Sequence, residues 1–394
     1  MKITDIKITP KLGSHNRDWV LLKVETDEGI DGLGEWSPHA SEAQLNGVKR
    51  LLIGADPMNI NALHYPSQPH NGLWNMGGTG GGVEIALWDI VGKKLGAPLH
   101  QLLGGKLRSR IRMYCDCHAG VFWTAPEFAA RWDAAYATGE LDPVFAVDAF
   151  VQMAKEVESE GFTCLKFDAD FATPHKRDAY DRSMSQPELA YIVEVMEAVR
   201  AALDPATDLA LDLHGAYNLP DALSLAKRLE PLGLLWLEDP VRWEWGNVDA
   251  LAKITMQTSI PICTGEILYG AKPHRELVVA QACDLLEPDF PRSGGPIELR
   301  RIAELAEMYY MSVAPHNMNS PITAIAGAHV CATIPNFLAF EYHSHNIPLW
   351  SNMLDYKNPI QDGYLTVPDG PGLGIALDEA VLLRELPRDS PLWM

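Results

Sequence analysis

Hydrophobic and polar positions alternate from Lys2 to Ile8 and again through Trp19 to Thr26 (WVLLKVET), a period-two pattern that predicts strands with one buried face. DEGIDGLGEW follows, and its Gly-rich middle marks a turn before a further strand. Helical segments begin near Ser41. VEIALWDIVGKKLG has apolar residues at helical spacing and ends at a glycine, so it reads as a buried helix. The run before it, Gly77 to Gly82 (GGTGGG), lacks the Gly-Lys-Ser/Thr of a phosphate loop; it reads as a flexible connection into that helix. Residues 1–110 thus predict an α+β unit. Its loops carry His15, Arg17 and His39, placed either to close over a pocket or simply on the surface.

From Ile111 the rhythm changes. Apolar, β-rich runs recur at IRMYC, CLKFD, LALDL, LLWLE, IPICT, DLLEPD, MSVAP and FLAFE, mostly separated by helical segments such as Gln186 to Leu203 and Ala222 to Leu229. Such alternation predicts a closed parallel β/α barrel over residues 111–346. No obvious helix follows the last strand. The tail, residues 347–394, is rich in Pro, Gly and Asp and is expected to run back onto the N-terminal unit. An unusually long connection, Ala119 to about Pro143, carries Phe122, Trp123 and Trp132; its length suggests a lid, a substrate loop or a subunit contact, the alternative being that its aromatics are buried against the barrel.

Between Leu209 and Glu266 three consecutive barrel runs each end in a carboxylate: Asp212 in LALDLHG, Glu238 in LLWLEDP and Glu266 in IPICTGE. Successive acids lie about one β/α repeat apart, ~30 residues. Each would then sit at the carboxyl end of its own strand, on the rim where barrels carry chemistry. Hard oxygen donors meeting there form a Mg²⁺ site.

Composition narrows the partners. The 394 residues exceed one ordinary core, and 47% apolar with 21% charged residues describe a soluble globular chain. Asp and Glu number 52 against 32 Lys and Arg, a formal charge of −20, which argues against nucleic acid. An anionic substrate stays compatible, because a bound divalent cation sets the local field. No signal-like N-terminus and no membrane-length apolar run is present, so the expectation is a cytoplasmic protein without membrane contact. The six scattered cysteines read as buried thiols; Cys115 and Cys117 would share one strand face with no second pair to complete a zinc site.

With these motifs in place, the chain resembles the enolase superfamily, specifically its mandelate racemase and acid-sugar dehydratase branch with galactonate dehydratase-like features. EIALWDIVGKKLGAPLHQLLGG, the three strand-end acids and the returning tail carry the resemblance over nearly the whole length. It implies an α/β architecture: a modified TIM barrel, (β/α)7β, with an α+β capping domain formed by the N-terminal region and the C-terminal tail. It also implies Mg²⁺ held by Asp212, Glu238 and Glu266, a small-molecule sugar acid as partner, and a homo-oligomer.

The other rim residues then acquire roles. His316 ends MSVAPH and Asp289 ends the sixth strand, so the imidazole is the general base and the carboxylate its orienting partner. His214 lies two residues beyond Asp212, projecting the same way on an extended segment. In related dehydratases a D-x-H histidine protonates the departing hydroxyl. Glu341, ending the eighth strand, is implied as a proton-bearing donor to the enediolate if a dry site raises its pKa. Racemases of the family commonly carry Lys-x-Lys on the second strand, whereas this chain has Lys166-Phe167-Asp168. Lys166 remains to neutralise the substrate, Asp168 to bind a hydroxyl, and elimination from one face is favoured over two-base racemisation. Arg292, His15, Trp350 and His343 are candidates for reading substrate configuration.

These features imply a Mg²⁺-dependent sugar-acid dehydratase that removes the C2 proton and the C3 hydroxyl to give a 2-keto-3-deoxy acid. Epimerisation or lactone cycloisomerisation would use the same enediolate. A barrel metallohydrolase wants H-x-H on the first strand, and IRMYCDCH offers only His118. A non-catalytic sugar-acid-binding barrel is the remaining alternative.

Overall fold

The structure is a computed structural model and describes residues 1–14, 17–65, 73, 78–117, 126–168, 170, 174–176, 182–242, 248–345 and 347–394. Its N-terminal sheet is antiparallel: β3 (Arg17–Thr26) pairs with β1 (Ile3–Ile8), β2 (Leu12–Ser14) and β4 (Asp31–Trp36). Val20, Leu22 and Val24 face the helix Gly78–Leu95, packing with Val83, Ala86, Leu87 and Ile90. The opposite face of β3 is buried too, because Trp19 and Leu21 join the large cluster that includes the barrel. Ser41 caps the helix Glu42–Leu52 through a reciprocal box with Gln44.

The glycine run corrects the expectation of a flexible connection. Gly78 to Gly82 form the first turns of the helix itself and most of them are buried. A Cβ on Gly82 would lie 1.7 Å from the Glu35 carbonyl, and one on Gly81 2.0 Å from the Pro291 carbonyl. Side chains are absent because the helix is pressed between β4 and the loop after the sixth barrel strand.

The barrel strands are β5 (Arg110–Cys117), β6 (Cys164–Asp168), β7 (Asp208–Asp212), β8 (Trp236–Glu238), β9 (Ile262–Thr264), β10 (Leu285–Leu286), β11 (Ser312–Val313) and β12 (Phe340–Tyr342). They pair in parallel in chain order from β5 to β11, and β12 returns to pair with β5. Leu338 N–H donates to the Val313 carbonyl and closes the seam between the seventh and eighth strands. Tyr114, Cys164, Ala210, Trp236, Cys263, Leu285, Ala314 and Ala339 form an apolar plug to which every barrel strand or its flank contributes one residue.

Between β5 and β6, the long connection contains a helix, Pro126–Thr138; Phe122, Trp123 and His118 lie outside the described residues. The tail differs from expectation in its first step. Before reaching the cap, β13 (Ile360–Gln361) and β14 (Tyr364–Thr366) form a hairpin whose second strand runs antiparallel to the start of β5. Beyond it, Leu373 N–H donates to Asp89 and Met394 N–H to the Ile8 carbonyl, which ties the tail to the cap. All six cysteines are free and buried. Among the described residues no helix is long and apolar enough to cross a membrane.

Cap and barrel are also joined by charge. His64, fully buried at the end of the helix Ile60–His64, places Nδ1 on Glu84 and Nε2 3.4 Å from Glu298. Glu84 also accepts from Ile297 N–H at 2.8 Å and Glu298 from Ala271 N–H at 2.8 Å, the first turns of two barrel helices. Burial works against charging His64, but the two carboxylates hold its pKa at about 9. A raised histidine pKa stabilises fully below the unfolded value of about 6.5, and that contribution is lost as pH climbs through about 9. His64→Gln should therefore cost ~3–5 kcal/mol by stranding buried carboxylates. It should also flatten the fall in Tm between those pH values; an unchanged Tm–pH profile by calorimetry would refute the assignment.

Candidate active site

Side chains alternate across a strand, so residues two past the apolar plug point into the barrel mouth. That layer holds Asp116, Lys166, Asp212, Glu238, Glu287, His316 and Glu341, where the plug has Tyr114, Cys164, Ala210, Trp236, Leu285, Ala314 and Ala339. On the fifth strand the corresponding position is Gly265, at φ +129, and Glu266 leaves the column just beyond it.

Lys166 is 2% exposed and sits 2.8 Å from Glu238, 2.9 Å from Glu341, 3.5 Å from Asp212 and 3.8 Å from Glu287. Burial opposes its charge, yet the carboxylates, Glu238 and Glu341 foremost, raise its pKa well above the ordinary value. The same crowding acts on the acids. Burial and Asp212 push Glu238 well up, whereas His214 and Lys166 outweigh burial to hold Asp212 low. The two acids interact directly, and their pKa values are driven in opposite directions. Below them Glu287 accepts from Tyr114 Oη at 2.5 Å, and burial lifts its pKa to about 7.

His316 follows β11 and directs Nδ1 to Asp289 at 2.7 Å, as its sequence spacing predicts. Its Nε2 lies 3.1 Å from Glu266 and 3.3 Å from Glu341. Burial disfavours the imidazolium, but Glu341, Glu266 and Asp289 carry the pKa to about 10. Glu341, implied as a donor to the enediolate, accepts from Asn317 N–H at 2.8 Å and lies 2.9 Å from Lys166 Nζ and 3.3 Å from His316 Nε2.

His214 reaches the predicted place by a different route. It is not on an extended segment but at φ 45, a left-handed turn past β7, stabilised by its own N–H donating to Asp212 at 2.8 Å. Its Nε2 still approaches Asp212 at 3.5 Å, and Nδ1 rests on Asp170 at 2.9 Å. Burial opposes protonation, while Asp170, Asp212 and Asp168 together raise its pKa well above normal. In an eight-stranded ring the third and seventh strands are diametrically opposed, so His214 and His316 flank the Lys166–Glu341 layer.

Asp168 offers a donor atom within 4.8 Å of Asp212 and His214. Arg292 is half-buried; Asp289 and Glu266 favour its charge against burial, and Asp289 also anchors its N–H at 2.8 Å. Trp350 is buried and donates its indole N–H to the Asn319 carbonyl at 3.1 Å, supporting the loop after His316. His15 lies outside the described residues. Sequence reasoning missed Glu287, Asp239, Asp170 and Asp116. For Glu287 a signal existed, since it precedes Asp289 by two residues and shares its face.

Carboxylate oxygens dominate the mouth: Asp212, Glu238, Asp239, Glu287 and Glu341 are all buried, with the Lys166 ammonium and the His316 ring as the buried cationic partners named above. Burial and neighbouring acids push Glu238 and Asp239 well up, the mark of a site with surplus negative charge. This donor set fits a hard divalent cation. The three predicted acids are not equally gathered. Asp212 and Glu238 meet, whereas Glu266 stands with His316 and near Asp239. Among the described residues, the threefold groups within 4.8 Å are Asp168–Asp212–His214 and, on the outer surface, Glu156–Glu160–His345.

Comparison with known proteins agrees with this geometry. Residues 8–104 match the mandelate racemase / muconate lactonizing enzyme N-terminal domain, and residues 149–381 the enolase C-terminal domain-like family. The chain is 37% identical to a D-xylonate dehydratase of Haloferax volcanii over 96% of its own length and 87% of the relative's. It is 29% identical to a D-galactonate dehydratase of Ralstonia nicotianae, covering all of this chain and 95% of that one. A crystal structure of a mandelate racemase/muconate lactonizing enzyme-like protein from Rubrobacter xylanophilus superposes with a TM-score of 0.86 at 33% identity, over 99% of both chains. By its cap, its barrel and these likenesses, the chain belongs to the mandelate racemase/muconate lactonizing enzyme family of the enolase superfamily.

Proposed function

We propose that the protein is a Mg²⁺-dependent sugar-acid dehydratase that converts an aldonate-type acid to its 2-keto-3-deoxy product. One observation carries this reading: two imidazoles, each on its own carboxylate, flank a buried lysine–glutamate layer from opposite sides. The names of the relatives, dehydratases of xylonate, galactonate and gluconate, point the same way.

In this reading Lys166 and Glu341 receive the substrate carboxyl end. His316 takes the C2 proton on Nε2, with Asp289 holding the ring through Nδ1. His214, protonated by virtue of Asp170, Asp212 and Asp168, gives its proton to the C3 hydroxyl, which leaves as water. The enol then takes a proton at C3 and becomes the 2-keto acid, so the net change is loss of one water. Mg²⁺, held by Asp212, Glu238 and Glu266, would stabilise the charge that develops on the carboxyl group. Offsetting the Glu266 charge would also draw the His316 pKa down, since Glu266 is one of the acids that raise it. Asp168, where racemases carry a second lysine, leaves the opposite face without the usual base.

Incubation with Mg²⁺ and a stereochemically complete panel of sugar acids should yield 2-keto acid; silence across the panel rejects the reading. In D₂O, His214→Asn should retain exchange at C2 while losing elimination, and His316→Asn should lose both by ~10²- to 10⁴-fold. Deuterium in an otherwise intact, inverted acid would instead indicate an epimerase.

Asp289→Asn removes one of the charges that raise His316, so the base limb of the pH–rate profile should move to lower pH as kcat falls. Unshifted limbs would separate Asp289 from the base.

Calorimetric titration checks the metal directly. Because burial and Asp212 make Glu238 hold its proton more tightly than a free acid does, Mg²⁺ binding should release protons and weaken as pH is lowered. Mg²⁺ at 100 times Kd should stabilise the fold by about 2.7 kcal/mol. Glu238→Gln should abolish that gain; wild-type binding in this variant would place the ion elsewhere.

A further inference from the structure

The inward layer of the barrel mouth has one position without a side chain. Gly265 holds it, at φ +129, and Glu266 follows on a turn that ends at Gly270, the cap of the helix Ala271–Ala280. A residue of that helix lies against the glycine. A Cβ on Gly265 would stand 3.2 Å from His274 Nε2 and 3.3 Å from its Cδ2, so this edge of the imidazole rests on the Gly265 backbone. The other ring nitrogen, Nδ1, is 2.8 Å from the Gly270 carbonyl.

His274 is fully buried, and the chemistry above makes no use of it. Burial outweighs the Gly270 and Gly265 backbone groups and lowers its pKa to about 4, which leaves the ring neutral. Nδ1 then carries the proton and donates to Gly270, while Nε2 meets Gly265 by contact alone, without a hydrogen bond. One rigid ring thus bears on both ends of the turn formed by residues 265–270. Leu268 N–H, on the Gly265 carbonyl at 3.1 Å, and Gly270 N–H, on the Ser293 carbonyl at 3.0 Å, hold the same turn from within and from the next strand's loop.

Glu266 is the one acid that this turn carries. Its carboxylate lies 3.1 Å from His316 Nε2, and any shift of the turn would move that charge relative to the base and to Asp212 and Glu238.

We propose that His274 is a positioning residue for Glu266: by bearing on both ends of the turn, the ring sets the carboxylate where it serves the cation and the base together. The inference rests on the reading of Asp212, Glu238 and Glu266 as the Mg²⁺ ligands. His274 acts through the backbone of the turn and is assigned no contact with ion or substrate.

The test is metal affinity, measured by calorimetry on metal-free protein. His274→Asn keeps an amide donor for Gly270 and removes the ring edge that meets Gly265, whereas His274→Phe keeps a ring on Gly265 and removes the donor. Each should raise the Kd for Mg²⁺ about 10-fold, as displaced outer-shell partners do. Ca²⁺, whose shell tolerates irregular ligand positions, should weaken less than about 3-fold. Titrations run where circular dichroism shows each variant folded, so a lowered Tm does not enter Kd, and two substitutions with opposite defects guard against one that fails to fold.

A Mg²⁺ Kd within about 3-fold of wild type in a folded variant, or equal losses for Mg²⁺ and Ca²⁺, would make His274 a packing residue only. A wild type that binds no Mg²⁺, or a Glu266→Gln variant that binds it as wild type does, would reject the ligand reading itself. Where wild type binds and Glu266→Gln is weakened, unchanged affinity in the His274 variants rejects only the role of His274.

Discussion

One buried ammonium organises the carboxyl end of this barrel. Lys166 touches acids from the third, fourth, sixth and eighth strands, and without it those carboxylates would repel one another in a medium that solvates none of them. Even with it, negative charge is in excess, and Glu238, Asp239 and Glu287 hold their protons more tightly than free acids do. Such a mouth attracts a divalent cation and favours an imidazolium on either flank. Metal affinity, histidine charge and lysine placement are thus three consequences of a single concentration of buried acid.

The cap packs against one side of that mouth. Its glycine-rich helix has no side chains where it presses on β4 and on the loop after the sixth strand, so backbone meets backbone beside Asp289 and Arg292. Glu35, buried at the end of β4, accepts from Ser320 N–H and the Thr323 hydroxyl on the loop and helix that follow His316; burial raises its pKa to about 7. His64 adds an ionic tie from Glu84 of the cap helix to Glu298 of the barrel helix that precedes His316. The base side of the mouth is therefore built jointly by both parts of the chain. Small shifts of the cap would be felt at the dyad first.

The chemistry is divided by barrel symmetry. Diametric strands carry His214 and His316, and each ring leans on a carboxylate that the other does not share, Asp170 and Asp289. In the proposed reaction, these separate partners would let two histidines with the same intrinsic pKa take opposite roles in one turnover.

Much of this was legible in the chain itself. Apolar, β-rich runs ending in Asp212, Glu238, Asp289, His316 and Glu341 predicted the strands, the rim and the pairing of His316 with Asp289, because run length and β/α spacing are local properties that the closed barrel obeys. Tertiary structure decided what depends on neighbours distant in sequence. It turned the glycine run into a packed helix, since only the approach of Glu35 and Pro291 explains the missing side chains. It moved Glu266 toward His316 through the positive φ of Gly265, and it set Glu341 between Asn317 N–H, Lys166 and His316. It also paired Asp116 with His343, two residues at opposite ends of the barrel sequence that become adjacent only when the last strand closes onto the first. Sequence specifies which side chains face inward; closure of the ring and docking of the cap specify which of them meet, because charge and burial act through space rather than along the chain.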